Sequence, residues 1–550
     1  LTLSADNQTT TTQLSSTSIQ DTSKTLRRSV SHFFSGTALS RIFGMFRDML
    51  MAFAFGSEPL IAAFMIAFRF SNLFRRMFGE GAMQSAFTPL FEDLRKQNKS
   101  SAMHFFKEIA WSLTIFLVLL SGLVEIILLI VYQLMELSDG NKEIIKLTAI
   151  MLPGIIFICL YGLNASFLQC QNKFFTPSVA PAAFNIIWIL VVLIIMNDPS
   201  DRTIYKLSVG IVIAYFFQWF MTFPSVLSFI SKEKKLASVK LFSSNVKLLL
   251  KPLFLGIIAV SASQINSAVD PLFARVADLE GPAYLWYAIR LQQLPLALIG
   301  IAFSGALLPA LSRAVKNADY DKYAELLNYG LKKVLSLMIP ITFAMLALGF
   351  SLVNLIFGRG HFDNQAVEET TRCLWGYCLG ITPMVLVLLF SCASFANSHF
   401  SKPAFASFIT MLINVLLNFI FIFLFKSSAA GVAVATSIAS FCNCFIMSFY
   451  APKRSKWNHS LSVFKTLIAS FCAFIATLAF GFLFFNDPTY LLFQGQTLHL
   501  LPRDVLSQCY SIIVQGLFFL LSLLLCAKGF NSYDILALFG LRKKNKGISC

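Results

Sequence analysis

The sequence predicts an all-α polytopic membrane protein with about 14 spanning helices, arranged as two six-helix lobes in a parallel pseudo-twofold repeat plus two C-terminal helices. The apolar runs, the distribution of basic loops and a repeated order of short motifs carry that expectation. Of 550 residues, 57% are hydrophobic and 13% charged, with a mean hydropathy of +0.71. Soluble domains carry about twice that charged fraction. Apolar runs of about 20 residues recur along nearly the whole chain, each long enough for a hydrocarbon core about 30 Å thick. Backbone polar groups in lipid must be satisfied within the segment, so these runs are helices. A β-barrel would show short alternating segments instead.

The net charge of +17 is a membrane signature here and does not point to nucleic acid, because the cations cluster in alternate loops. Arg95, Lys96, Lys99 and Lys107 form one group, and Lys232, Lys234, Lys235, Lys240 and Lys247 another. Arg313, Lys316 and Lys322, then Lys453, Arg454 and Lys456, then Arg542, Lys543, Lys544 and Lys546 follow. Loops between these groups are short or acidic, with Asp139, Glu143, Asp198, Asp201, Asp278 and Glu280. The basic side is therefore expected to be cytosolic, with both termini on it. The 11 cysteines are scattered without a C-x-x-C pair, and the six histidines form no ligand-spaced cluster. Neither a metal nor another cofactor is expected.

Residues 1–32 are rich in Ser and Thr and read as a disordered tail. The first lobe is expected over roughly 33–231, and a cytosolic linker with the second lobe over roughly 232–451. A final helix pair follows at roughly 452–528, then a basic cytosolic tail at 529–550. The lobes echo each other in order. Ala67-Phe68-Arg69 and Ala86-Phe87-Thr88-Pro89 match Ala288-Ile289-Arg290 and Ala306-Leu307-Leu308-Pro309. Pro153 matches Pro383, Ala165-Ser166-Phe167 matches Ala393-Ser394-Phe395, and Asn185 matches Asn414. Such repeats place a transport site between the halves, opened alternately by rocking one against the other.

The first two spans, with the seventh and eighth, are the least hydrophobic. Span one carries Arg41, Arg47 and Asp48; span two carries Arg69, Asn72, Arg75, Arg76 and Glu80; span eight carries Arg290. A charge at mid-membrane costs at least about 2.5–3.5 kcal/mol, so such residues face an aqueous cavity or pair with one another. The span-two residues fall within an arc of about 140° on a helical wheel. Guanidinium groups bind phosphate through a planar fork, so converging arginines predict an anionic, phosphorylated substrate. The plainer readings are snorkelling for Arg75 and Arg76, an i,i+4 bond from Arg76 to Glu80, and a structural ion pair for Asp48, with Arg41 on nearly the same helix face. Asp270 and Glu125 are candidates to carry a coupling ion, or else partners for a nearby basic or polar group.

These residues resemble the MurJ (MviN) family of lipid II flippases, within the multidrug/oligosaccharidyl-lipid/polysaccharide exporter superfamily. The resemblance rests first on Ser40-Arg41-x-x-Gly44-x-x-Arg47-Asp48. It continues through Ala67-Phe68-Arg69-x-x-Asn72-Leu73-x-Arg75-Arg76-x-Phe78-x-Glu80-Gly81-Ala82. A second stretch is Trp286-Tyr287-Ala288-x-Arg290-Leu291-x-x-Leu294-Pro295. It implies a V-shaped pair of lobes around a cationic cavity, in which Arg41, Arg47, Arg75 and Arg290 hold the pyrophosphate of lipid II. Asp48, Arg69, Asn72, Arg76 and Glu80 support them, and the last two helices take the lipid tail. The implied setting is the bacterial cytoplasmic membrane, with membrane lipids and other cell-wall synthesis proteins as further partners. The chain departs from the family pattern at Ala62, Ser71, Ile289 and Gln293, where an acidic residue, Pro, an acidic residue and an acidic residue are common. Alternatives are a drug or cation antiporter, a polysaccharide-lipid flippase, or a membrane-embedded glycosyl- or phosphotransferase. The first needs a carboxylate as its main cavity charge; the last needs acidic residues in sizeable loops.

Overall fold

A computed structural model of the chain describes residues 23–76, 82–198, 200, 202–231, 243–450, 460–485, 487, 489 and 504–541. Among the described residues there are helices and no strands. The first block contains α1 (Ser23–Phe55), α2 (Pro59–Phe74), α3 (Ala82–Gln97), α4 (Lys99–Leu134), α5 (Asp139–Met151), α6 (Gly154–Cys170), α7 (Phe175–Ile195) and α8 (Thr203–Ile230). The second contains α9 (Ser244–Ala277), α10 (Gly281–Pro295), α11 (Ala302–Lys316), α12 (Tyr320–Phe357), α13 (Asn364–Leu379), α14 (Ile381–Ala396), α15 (Ser401–Phe419) and α16 (Ala430–Phe449). Then come α17 (Ser460–Phe485), α18 (Val505–Gly529) and the short α19 (Tyr533–Leu538).

The repeat is visible in which helices pack together. In the first block α1 packs on α7, α2 on α5, α3 on α4 and α6, and α8 on α6 and α7. Each pairing recurs eight helices later: α9 on α15, α10 on α13, α11 on α12 and α14, α16 on α14 and α15. The breaks recur too. A bend of 48° separates α5 from α6 at Pro153, and α13 gives way to α14 at Gly380, just before Pro383. Pro295 precedes a wide π-helical turn, Leu296–Ile301, between α10 and α11. Proline removes a backbone donor and crowds the preceding turn, so it sets where a long apolar helix can break.

Among the described residues, ten helices, or eleven if the bent α5–α6 pair counts as one span, are long and apolar enough to cross a membrane. Fourteen spans are consistent with this if α1, α2–α3 and α9 also cross. Those three are among the four spans singled out as least hydrophobic; the fourth, α10–α11, meets the apolar test. Helix α1 begins at Ser23, so the last part of the expected tail is helical. Residues 1–22, Glu80, and most of the 232–251 and 452–459 basic segments lie outside the described residues, as do Arg542 to Lys546. The expected Arg76–Glu80 bond lies there as well.

The final pair, α17 and α18, packs together and lies against α12. Buried polar groups fix it there. The Asp487 carboxylate accepts from Ser351 Oγ of α12 at 2.8 Å and from Gln515 Nε2 of α18 at 3.0 Å. At the other end of the pair Lys332 lies 2.9 Å from Asp534.

Candidate functional site

Arg47 and Asp48 sit side by side about two turns before the end of α1, and both are buried, at 7% and 2% exposure. The Arg47 guanidinium folds back on its neighbour, donating from Nε (3.0 Å) and Nη2 (2.8 Å) to Asp48 Oδ1. Its other nitrogen, Nη1, donates to Asn185 Oδ1 of α7 at 2.8 Å. The Asn185 amide is held in turn by donating to the Ser40 carbonyl at 3.0 Å. The Trp188 ring lies 4.5 Å under the guanidinium. Every face of this cation is therefore met by a charge, an amide or a π-system, which is how a buried arginine is tolerated.

Asp48 also faces the second lobe. Arg290 Nε of α10 lies 3.0 Å from Asp48 Oδ2, close enough for an ion pair, although its N–H is not aligned as a hydrogen bond. Trp286 Nε1, one helical turn before Arg290, donates to Asp48 Oδ1 at 3.4 Å. The Trp286 ring is flanked by two guanidinium groups, Arg290 at 4.1 Å and Arg69 of α2 at 5.6 Å. Arg69 reaches across the lobes to donate to the Ser267 carbonyl of α9 at 3.0 Å. Three arginines thus converge around one carboxylate and one indole, at the seam between the lobes.

The structure brings together Arg47, Asp48, Arg69 and Arg290, and Glu80 lies outside the described residues. Arg41 is exposed, and Asp48 pairs with Arg47 and Arg290, where Arg41 had been a candidate. Seven residues are about 10 Å of helix rise, and the adjacent and cross-lobe arginines are nearer. Arg75 is half-buried and Arg76 exposed, toward the end of α2 that precedes the basic loops. The Asn72 amide donates to its own helix at the Phe68 carbonyl, 3.0 Å away. Sequence reading passed over Trp188 as a site residue and used Asn185 only as a repeat marker. Trp286 had an available signal, since it lies four residues from Arg290 on the same helix face.

Beyond this cluster, the lobes are tied at the ends away from the basic loops. Ser57 Oγ donates to Glu280 at 2.9 Å, and Tyr284 donates to the same carboxylate oxygen at 2.6 Å. Arg275 donates to the Pro59 carbonyl at 2.8 Å, and the His361 amide donates to the Phe53 carbonyl at 3.0 Å. Gly56 and Gly360 make that backbone approach possible. Both have positive φ, and a Cβ on Gly360 would lie 2.2 Å from the Phe53 oxygen.

Asp270 of α9 is buried inside the second lobe. It accepts from Asn418 Nδ2 at 2.8 Å and Thr436 Oγ1 at 3.3 Å, and Asn418 also donates to Asn414 at 2.8 Å. Glu125 is half-buried on α4, with no ion pair or hydrogen bond among the described residues. No group of three His, Cys, Asp or Glu placed to hold a metal occurs among the described residues.

Comparison with known proteins finds one family over most of the chain. The family model described as lipid II flippase MurJ matches residues 51–498. A probable lipid II flippase MurJ of Chlamydia pneumoniae is 34% identical over 86% of this chain and 86% of its own length. Among solved structures, a lipid II flippase MurJ in an inward closed conformation matches with TM-score 0.73 and 25% identity, covering 92% of this chain and 99% of that one. An inward-facing multidrug resistance MATE family transporter shares the fold, with TM-score 0.61 at 14% identity over 76% of this chain and 94% of that one.

Proposed function

From the premise that the chain belongs to the lipid II flippase MurJ family, we propose that it carries lipid II from the cytosolic to the outer leaflet of the bacterial cytoplasmic membrane. The observation that carries the reading to this chain's own residues is the cross-lobe cluster in which Arg47 and Arg290 share Asp48 while Arg69 and Arg290 flank Trp286. Three guanidinium groups against Asp48 and the Asp270 carboxylate that Arg69 faces leave an excess of positive charge between the lobes, suited to a pyrophosphate. A fold shared with multidrug transporters does not separate the substrates; the excess of positive charge at the seam favours an anionic one.

In the described state Asp48 stands where the phosphate oxygens would, holding Arg47 and Arg290 from opposite lobes. An entering pyrophosphate competes for those same donors, so substrate binding and lobe separation are coupled through one carboxylate. The ties at Ser57–Glu280 and His361–Phe53 close the end expected to face outward, and Ser243 Oγ donating to Glu108 at 2.6 Å ties the lobes at the basic end as well. Releasing one set of ties while the other holds would give alternating access. Arg41 and Arg76, exposed toward the basic end, meet the substrate first. The α17–α18 pair takes the polyprenyl tail, held to the second lobe through Asp487.

Expression in cells depleted of their own lipid II flippase tests the proposal. Restored growth with the native chain, and accumulation of unflipped precursor without it, is the expected result. Failure to restore growth with a correctly inserted protein would refute it.

A further inference from the structure

On the flank of the first lobe, α7 and α8 bound a cavity of about 440 Å³. It lies apart from the inter-lobe cluster, and its walls are apolar side chains, chiefly Val191 and Ile194 of α7 and Val209 and Ile213 of α8. Ile194 is 78% exposed, and Val209 and Ile213 are exposed as well. Gly210 forms part of the lining. A Cβ there would lie 2.5 Å from Val191 Cγ1, so its absence lets the two helices close the base of the groove.

The groove has a charged end. Arg202, at the start of α8, and Lys206, one turn on, both line it and both are exposed. Two nearby acids among the described residues, Asp198 and Glu143, are already engaged. Asp198 pairs with Lys206, whose hydrogen bond is the main cause of the carboxyl's pKa lying below its ordinary value. Glu143 accepts from the Tyr205 hydroxyl and from Lys146 at 2.8 Å. Arg202 has no ion pair or hydrogen bond among the described residues.

The dimensions fit one leaflet. From Arg202 to Ile213 the helix rises about 16 Å. That is about half of a hydrocarbon core roughly 30 Å thick.

We propose that this groove binds an anionic diacyl phospholipid, with one acyl chain against Val191, Val209 and Ile213 and its phosphate on the Arg202 guanidinium beside Lys206. A cation at the end of an apolar channel one leaflet deep matches the two parts of such a lipid. By the distribution of basic loops it is a lipid of the outer leaflet. The site rests on membrane embedding and not on the flippase reading, since its walls belong to the first lobe alone.

Native mass spectrometry of the full chain, delipidated and then incubated with phosphatidylglycerol or phosphatidylcholine, tests the assignment. Phosphatidylglycerol should be retained about tenfold better, the scale of one charge-assisted contact. Arg202→Ala, a change at an exposed residue, should erase that preference while leaving phosphatidylcholine retention unchanged. Ile213→Trp should fill the groove and reduce retention of both lipids. Arg313→Ala, at an exposed cation on α11, should leave the preference intact. Equal retention of the two lipids by the native chain, or a preference that survives Arg202→Ala, would overturn the proposal. Displacement of phosphatidylglycerol by a polyprenyl phosphate more readily than by a second anionic diacyl lipid would also overturn it, assigning the groove to a carrier lipid.

Discussion

The two lobes place opposite charges at the same seam. Between α1 and α7 the first lobe encloses Arg47, hydrogen-bonded to Asn185. Between α9 and α15, the equivalent pair, the second lobe encloses Asp270, hydrogen-bonded to Asn418. The scaffold repeats, and an amide on the partner helix repeats with it, but the charge it serves is inverted. The surroundings differ accordingly. Asp270 takes its hydrogen bonds from one amide and one hydroxyl of its own lobe, and Arg69 of the first lobe reaches the same helix at the Ser267 carbonyl. Arg47 shares its carboxylate with Arg290 of the other lobe. The first-lobe carboxylate is thus shared by an ion pair across the lobes, while the second-lobe carboxylate is hydrogen-bonded within its own.

The largest effect should follow removal of the carboxylate that serves both lobes. Asp48→Ala leaves Arg47 and Arg290 facing each other without compensation and should cost about 3–5 kcal/mol of stability. Thermal unfolding in detergent measures it, and an unchanged midpoint would mean that the pairing seen here is not maintained.

Asp270→Ala should cost less, about 1–3 kcal/mol, because it strands neutral donors on Asn418 and Thr436. Asp270→Asn, which keeps the shape and one acceptor, should fall below that in the same assay. If Asp270→Ala proves costlier than Asp48→Ala, the contrast between a carboxylate ion-paired across the lobes and one hydrogen-bonded within a lobe fails.

Trp286 sharpens the cross-lobe side. Trp286→Leu removes a stacking partner from Arg290 and Arg69, worth about 0.5–2 kcal/mol, and should slow transport by several-fold. Trp286→Phe should recover part of that rate. Equal rates for Leu and native protein would leave the indole a packing residue only.

Ser57→Ala is the mildest change. It removes one of the ties at the closed end and should shift the lobes toward separation there by about 1 kcal/mol. Spin-label distances between Cys residues placed at Glu58 and Asn364 would lengthen in a larger fraction of Ser57→Ala molecules than in native ones; an unaltered distribution would place the latch elsewhere.

Much of this architecture is legible in the sequence because the bilayer forces it. Apolar run length, the alternation of basic loops and the Pro153–Pro383 correspondence all report on helices and their breaks, which are local properties. The charged motif was legible as well, since intramembrane arginines such as Arg47 and Arg290 demand a reason to exist. Their partners were not. Asp48 and Trp286 are 238 positions apart, and Arg47 and Asn185 are 138 apart, so only the packing of α1 on α7 and of lobe on lobe decides them. For the same reason the helix wheel of α2 grouped Arg69 with Arg75 and Arg76, although Arg69 turns to α9 and its Ser267 carbonyl.

The most direct test of the central claim is transport of a labelled polyprenyl-pyrophosphoryl disaccharide in liposomes, comparing Ala and Lys at Arg47 and at Arg290. A charge-assisted contact to the anion is worth about 1.5–3 kcal/mol, so each Ala variant should lose tenfold or more in apparent affinity. The Lys variants keep charge but not the planar fork and should fall between Ala and native. Transport at the native rate by the Arg47→Ala, Arg290→Ala double variant would contradict the account, because no guanidinium from the second lobe would then be needed to hold the substrate.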